Sequence, residues 1–244
     1  MKSLHTCAIL LAAGSAAIAT PSGLNNIPTA DTVPQGTFVL QTFSTVGDNR
    51  DADLNLGFKT GIDLKAVKLE LGLAAHLYPG LGGPVTPHAK IAVPLGEGLP
   101  VIAGGVANIS FRNEDRRRAG DEFAYGVISQ DFGWFRMHAG CGAQDGEALP
   151  FVGLDKTFRI AKSAPAVSDG KSMKKHTAAP AAPEMRDLFT LRTDAIRLRN
   201  HDWLLSAGVL VPVCKNFVFE TWGNFPTDGT DASLTLKANF VFSF

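Results

Sequence analysis

The stretch Asp231–Phe244, DASLTLKANFVFSF, decides how this chain is read. Leu234, Leu236, Ala238, Phe240, Phe242 and Phe244 alternate with Ser233, Thr235, Lys237, Asn239, Val241 and Ser243. A period of two places the first set on one face of a strand and the second on the other. A soluble sandwich seldom presents three alternating phenylalanines in its final strand. A membrane β-barrel does so for a physical reason. One face meets lipid, the other meets the interior, and the last strand pairs with the first.

The same alternation recurs upstream. Turn residues divide the chain into expected strands at 37–46, 52–59, 66–78, 88–95, 100–110, 122–130, 133–142, 149–160, 187–198, 202–213, 216–224 and 231–244. The reading is therefore all-β: an antiparallel up-and-down transmembrane barrel of twelve strands. An even number lets such a barrel close antiparallel, and a tilted strand of roughly ten residues crosses the hydrocarbon layer. Residues 37–244 form the expected barrel. Residues 20–36 form a segment at its periplasmic mouth or a plug. The stretch 161–186 is rich in Ala, Pro, Ser and Lys, and composition predicts disorder there.

The start of the chain bears on the compartment. Lys2 precedes an apolar run from Cys7 to Ala19, ending in the small-x-small site Ala17-Ile18-Ala19. Residues 1–19 read as a signal peptide, too short to span a bilayer as a helix. The cell outer membrane is the expected location, with lipid and lipopolysaccharide as surroundings. Formal net charge is zero, which offers no electrostatic case for nucleic acid. Beyond the signal only Cys141 and Cys214 remain, too few for a disulfide framework or a zinc site. The topology places them at opposite ends of the barrel.

Candidate functional residues fall into two groups. Lys68 and Glu70 on the third strand, Arg136 and His138 on the seventh, and Asp155 on the eighth have inward parity. An Arg–His–Asp group could bind a ligand or move protons, but an interior ion-pair network that rigidifies the barrel is the better-supported reading. Lys156 would then face lipid in mid-strand, which conflicts with that face assignment. Arg112, Arg116, Arg117 and Arg118 form a basic loop among Glu114, Asp115, Asp121 and Glu122. Such a loop could meet lipopolysaccharide phosphates or acidic polysaccharide, or simply be a solvated, self-neutralising hairpin. Small residues expected inside, including Gly72, Ala74, Gly104, Ala124, Gly126, Gly140 and Gly208, leave room for a lumen or a plug. No Gly-x-Ser-x-Gly, His-Glu-x-x-His or phosphate-cradling motif is present. No enzyme activity, cofactor or metal is expected. The function expected from these residues is passive or structural, such as a pore, with a lipid- or ligand-binding barrel without pore activity as the alternative and an outer-membrane hydrolase using His138 as the third reading.

Two segments carry a family resemblance. TPSGLNNIPTADTVPQGTFVLQ, residues 20–41, resembles the opening of the mature YjbH-like outer-membrane barrel proteins at Gly23, Leu24, Pro28, Thr29, Ala30, Asp31 and Gly36. GLDKTF, residues 153–158, is similar to a strand of that family. The resemblance implies an association with exopolysaccharide production and export, and partners in polysaccharide export. It carries no catalytic residue. The terminal strand also resembles the signal read by the barrel assembly machinery, with Phe240, Phe242 and Phe244 as its spaced aromatics.

Overall fold

The computed structural model describes residues 21–47, 52–78, 84–110, 121–161 and 184–244. Twelve strands run in chain order: β1 (Thr37–Gly47), β2 (Leu54–Asp63), β3 (Lys68–Tyr78), β4 (Val85–Pro94), β5 (Val101–Ala107), β6 (Phe123–Asp131), β7 (Arg136–Gln144), β8 (Glu147–Ala161), β9 (Met185–Arg197), β10 (Trp203–Cys214), β11 (Phe217–Pro226) and β12 (Ser233–Ser243). Each pairs antiparallel with its sequence neighbours, and β12 pairs with β1 to close the barrel. Closure removes every free sheet edge. The closing register runs without a break from Thr37↔Ser243 to Gly47↔Ser233. Just past it, the Phe244 amide donates to the Gly36 carbonyl at 3.0 Å.

The distribution of side chains is the reverse of a soluble protein's. Leu56, Leu71, Leu73, Ile91, Ile128, Leu154, Leu191, Leu205, Leu236 and Phe240 are large, apolar and exposed on the outside. Gln41, Asn55, Lys59, Glu70, His88, Lys90, His138, Asp194, Glu220 and Lys237 are buried inside. A wall that is apolar outward and polar inward is stable in lipid, where every backbone group is paired within the sheet. Aromatic rings cluster at the end that carries Gly36 and Phe244. Phe38 packs against Phe58 and Phe244, Phe158 against Phe189, and Phe132 and Trp134 against Phe135. Aromatic girdles of this kind sit at membrane interfaces.

Three details differ from the sequence reading. β8 runs through Ala161 and β9 begins at Met185, so both strands reach into the expected insertion; residues 162–183 of that insertion lie outside the described residues. Next, Gly104, Ala124 and Gly126 do not face inward. Phe123, Tyr125, Val127 and Ser129 do, with Ala103 and Ala107 beside them. Both faces of β5 and β6 are apolar or small, so alternation alone cannot orient them. Last, Lys156 does have outward parity, but it stands toward one end of the barrel, two residues inside the Phe158–Phe189 ring pair. It lies opposite Leu191, one residue past the Arg136↔Asp155 pair at which β7 begins. That height is near the barrel rim, where a lysine stem can carry its ammonium to water.

Candidate functional site: the occupied lumen

Residues 21–33 lie inside the barrel, with Asp31 at its mouth, and the exposed Pro34 and Gln35 lead out to β1. Leu24, Ile27, Ala30 and Val33 are buried, and Leu24, Ile27 and Ala30 pack in one cluster with Phe123, Tyr125, Phe151, Ile196 and Leu204 of the wall. This cluster explains the apolar inward face of β6. The segment has no strand ladder of its own apart from bridges Gly23↔Pro28 and Gln35↔Gly61. Its polar backbone must therefore be satisfied by wall side chains. Two wall glycines permit the approach. A Cβ on Gly61 would overlap the Val33 carbonyl, and one on Gly153 would sit 2.5 Å from Leu24 Cδ1 and 2.7 Å from Ile27 Cδ1.

Four charged groups of the wall hold the segment, three of them deeply buried. Glu70 on β3 is wholly buried and accepts the Ser22 amide at 2.7 Å, the Ser22 hydroxyl at 2.5 Å and the Val33 amide at 2.9 Å. Lys90 on β4 stands 3.6 Å from Glu70 and donates to the carbonyls of Ser22, Thr29 and Asp31. On the opposite wall Asp194 of β9 accepts the amides of Asn25 and Asn26 at 2.9 and 3.1 Å. Its other oxygen accepts the Ser206 hydroxyl, whose Oγ in turn receives the Asn25 side-chain amide. Hydrogen bonds to charged groups contribute about 1.5–3 kcal/mol each.

The Arg136, His138 and Asp155 side chains meet, as their shared parity requires. Arg136 Nη2 donates to both Asp31 oxygens at 2.8 Å, and Arg136 Nη1 stands 3.9 Å from Asp155. The fully buried His138 bridges Ser129 Oγ (Nδ1, 2.7 Å) and Asp155 Oδ2 (Nε2, 2.9 Å). The Ala30 amide donates to the same Ser129 oxygen at 2.9 Å. A single proton arrangement satisfies the chain: Ala30 N–H to Ser129, Ser129 O–H to His138 Nδ1, and His138 Nε2–H to Asp155. At the mouth, loss of hydration raises the Asp31 carboxyl, but the Arg136 charge and hydrogen bonds outweigh it and hold the group below its ordinary range.

A second charged cluster lies on the β9–β12 wall. Arg192 binds Glu220 at 2.7 Å, Asn239 donates to it at 2.6 Å, and Lys237 stands 3.8 Å away. The sequence reading did not single out Lys59, His88, Lys90, Asp194, Glu220 or Lys237. The inward parity of His88 and Lys90, alternating with Pro87, Ala89 and Ile91, was the available signal.

The remaining sequence candidates fall elsewhere. Lys68 is the first residue of β3 and is exposed at the rim, with the parity of Glu70. Arg112, Arg116, Arg117 and Arg118 lie outside the described residues, as does the expected signal peptide. Phe240 and Phe242 face outward beside β1, and Phe244 is 90% exposed, its ring edge-on to Phe38 at 5.4 Å. Cys141 and Cys214 are free and exposed, near opposite ends of the barrel. Among the described residues no group of three His, Cys, Asp or Glu is placed to hold a metal ion.

Neither a protein-family model nor a curated protein matches the sequence. Solved structures do match the fold. The KdgM porin superposes with a TM-score of 0.50 at 6% identity, over 84% of this chain and 99% of that one. The same porin in complex with disordered oligogalacturonate gives the same values. The NanC porin in its rhombohedral crystal form gives 0.47 at 8% identity, over 85% and 99%. At these identities the likeness is one of fold: this chain has the closed antiparallel architecture of bacterial outer-membrane barrels.

Proposed function

We propose that this protein is an outer-membrane barrel closed at rest by its own residues 21–36, with a passive role and no chemistry of its own. The observation that carries the reading is the charged clamp on that segment: Glu70 and Lys90 on one wall, Asp194 on the other, Arg136 on Asp31. The segment's apolar side chains pack against the β6, β8, β9 and β10 side of the wall. A lumen filled this way does not pass solute unless the segment shifts, so the barrel acts as a gated pore or as a platform. The resemblance of residues 20–41 and 153–158 to YjbH-like proteins supports a place as an accessory to exopolysaccharide export. The basic loop at residues 112–118 would then face lipopolysaccharide or acidic polysaccharide.

Bilayer conductance tests the closure. Wild-type protein is expected to stay closed near neutral pH. Arg136→Ala removes the hydrogen bonds to Asp31 at a half-exposed site (Asp31 side chain 50% exposed). Solvent screening limits the loss to about 1 kcal/mol, a several-fold rise in open probability. Acid should act in the same direction. A carboxyl with a lowered pKa in the docked state stabilises docking above its free value of about 4. That stabilisation is lost as pH falls through the lowered value. Wild type that conducts as freely as a chain lacking residues 22–33 would refute closure.

The Ser129–His138–Asp155 chain gives a second reading, a hydrolase. Ser129 is buried and its oxygen is engaged by the Ala30 amide, so no substrate carbonyl can reach it in this state. Hydrolytic turnover abolished by both Ser129→Ala and His138→Ala would favour that reading.

A further inference from the structure

Residues 21–36 do not fill the lumen evenly. Between Ser22 and Thr32–Pro34 on one side and β1, β2, β10, β11 and β12 on the other lies a cavity of about 370 Å³. Thr37 and Ser243 line it at the barrel end, and Lys59, Glu220 and Asn239 line it further in. Val33, Val39 and Leu210 supply apolar surface between them. This mixture of apolar wall and a few convergent polar groups is what small-molecule sites present, at the lower end of their usual size.

Lys59 is the group left without a partner. It is inward-facing on β2 and 7% exposed. Among the described residues it makes no hydrogen bond and no ion pair. The two carboxylates in electrostatic reach, Glu70 and Glu220, are already occupied. Glu70 receives two amides and a hydroxyl beside Lys90, and Glu220 is taken by Arg192, Asn239 and Lys237. The two carboxylates reach the Lys59 ammonium only through space, and the ammonium opens onto the cavity, so an entering anion would give it a direct, charge-assisted partner.

We propose that this cavity is a binding site for a small polyhydroxylated carboxylate, a monosaccharide-sized sugar acid, whose carboxylate pairs with Lys59. Thr37 Oγ1 and Ser243 Oγ, 3.4 Å from each other at the open end, are placed to meet its hydroxyls. Val39 and Leu210 meet the apolar face of its ring. The proposal goes beyond closure of the barrel: it rests on the docked position of residues 21–36, since Ser22, Thr32, Val33 and Pro34 form one side of the cavity, but not on that segment sealing the lumen against solute.

Calorimetry on the full refolded chain in detergent tests this, with D-glucuronate as the probe and D-glucose as the neutral control. Wild type is expected to bind glucuronate at least about tenfold more tightly than glucose, as a charged hydrogen bond requires. Lys59→Met should lose about tenfold in glucuronate affinity while remaining heat-modifiable. Lys59→Arg, which keeps the charge, should stay within a few-fold of wild type. Glucose 1-phosphate distinguishes the oxyanion: binding tighter than glucuronate would overturn the assignment to a carboxylate. Equal affinity for glucose and glucuronate, unchanged affinity in Lys59→Met, or no binding by wild type at about 10 mM glucuronate would overturn the site. Loss of conductance closure with glucuronate binding intact would overturn the resting state proposed above and leave this site standing.

Discussion

At the scale of single residues, Gly153 decides whether the lumen can be filled. Its inward position on β8 faces Leu24 and Ile27 closely enough that any side chain displaces them. Gly153→Leu should keep the barrel, since a strand tolerates leucine, and drive residues 21–36 out of place. Overpacking of this kind costs about 1–3 kcal/mol. The expected result is a heat-modifiable barrel whose N-terminal segment is cut by added protease several-fold faster than in wild type. Unchanged protection would mean that the segment does not rest against Gly153. His138 teaches a related lesson. Its parity and its neighbours Arg136 and Asp155 are visible in the sequence. Its other partner, Ser129, is not, because β6 carries Ala124, Gly126 and Ile128 on the face that alternation alone could equally have turned inward. Glu70 could be seen as inward, but not as the acceptor of Ser22 and Val33, since those amides belong to a segment without periodicity.

At the scale of elements, alternation made all twelve strands legible. Ser233–Ser243 is the clearest case, and the structure pairs it with β1 along its whole length. Errors sit at strand ends and at β5–β6. Strand ends are set by turn geometry, such as the positive φ of Lys65, Asp145 and Gly146, rather than by side-chain pattern. The faces of β5 and β6 depend on residues 21–36, which give them an apolar interior to meet. The role of Phe240 and Phe242 as part of an assembly signal rests on their outward face beside Phe38 and Leu40. Inserting one residue between Asn239 and Phe240 turns both rings into the lumen. Each ring then loses an apolar surrounding worth about 1.5–3 kcal/mol. The amount of heat-modifiable protein in outer-membrane fractions should fall several-fold. Assembly at the wild-type level would show that the outward register of these rings is not what the assembly machinery reads.

At the scale of the whole molecule, the fold is an inverted globule with a guest. The wall is apolar toward lipid and polar inside, and residues 21–36 bring both an apolar edge and a polar backbone into it. Composition gave no access to this arrangement. Pro, Gly and Asn in that segment exclude regular structure, but they do not say where it lies. Its anchors come from β3, β4, β6, β7, β9, β10 and β11. These contacts span most of the chain and exist only once the barrel has closed. Proximity inside the assembled barrel is therefore the most direct measurement. With all native cysteines replaced by serine, Asn25→Cys is paired with Ser206→Cys on the inner wall, and separately with Thr193→Cys on the outer face of β9. A short bifunctional thiol reagent is added to outer-membrane fractions. Cross-linking of 25 to 206 but not of 25 to 193 is the predicted result. No cross-link to 206, with the thiol introduced at position 25 open to a membrane-impermeant maleimide, would contradict the account and place the segment outside the barrel.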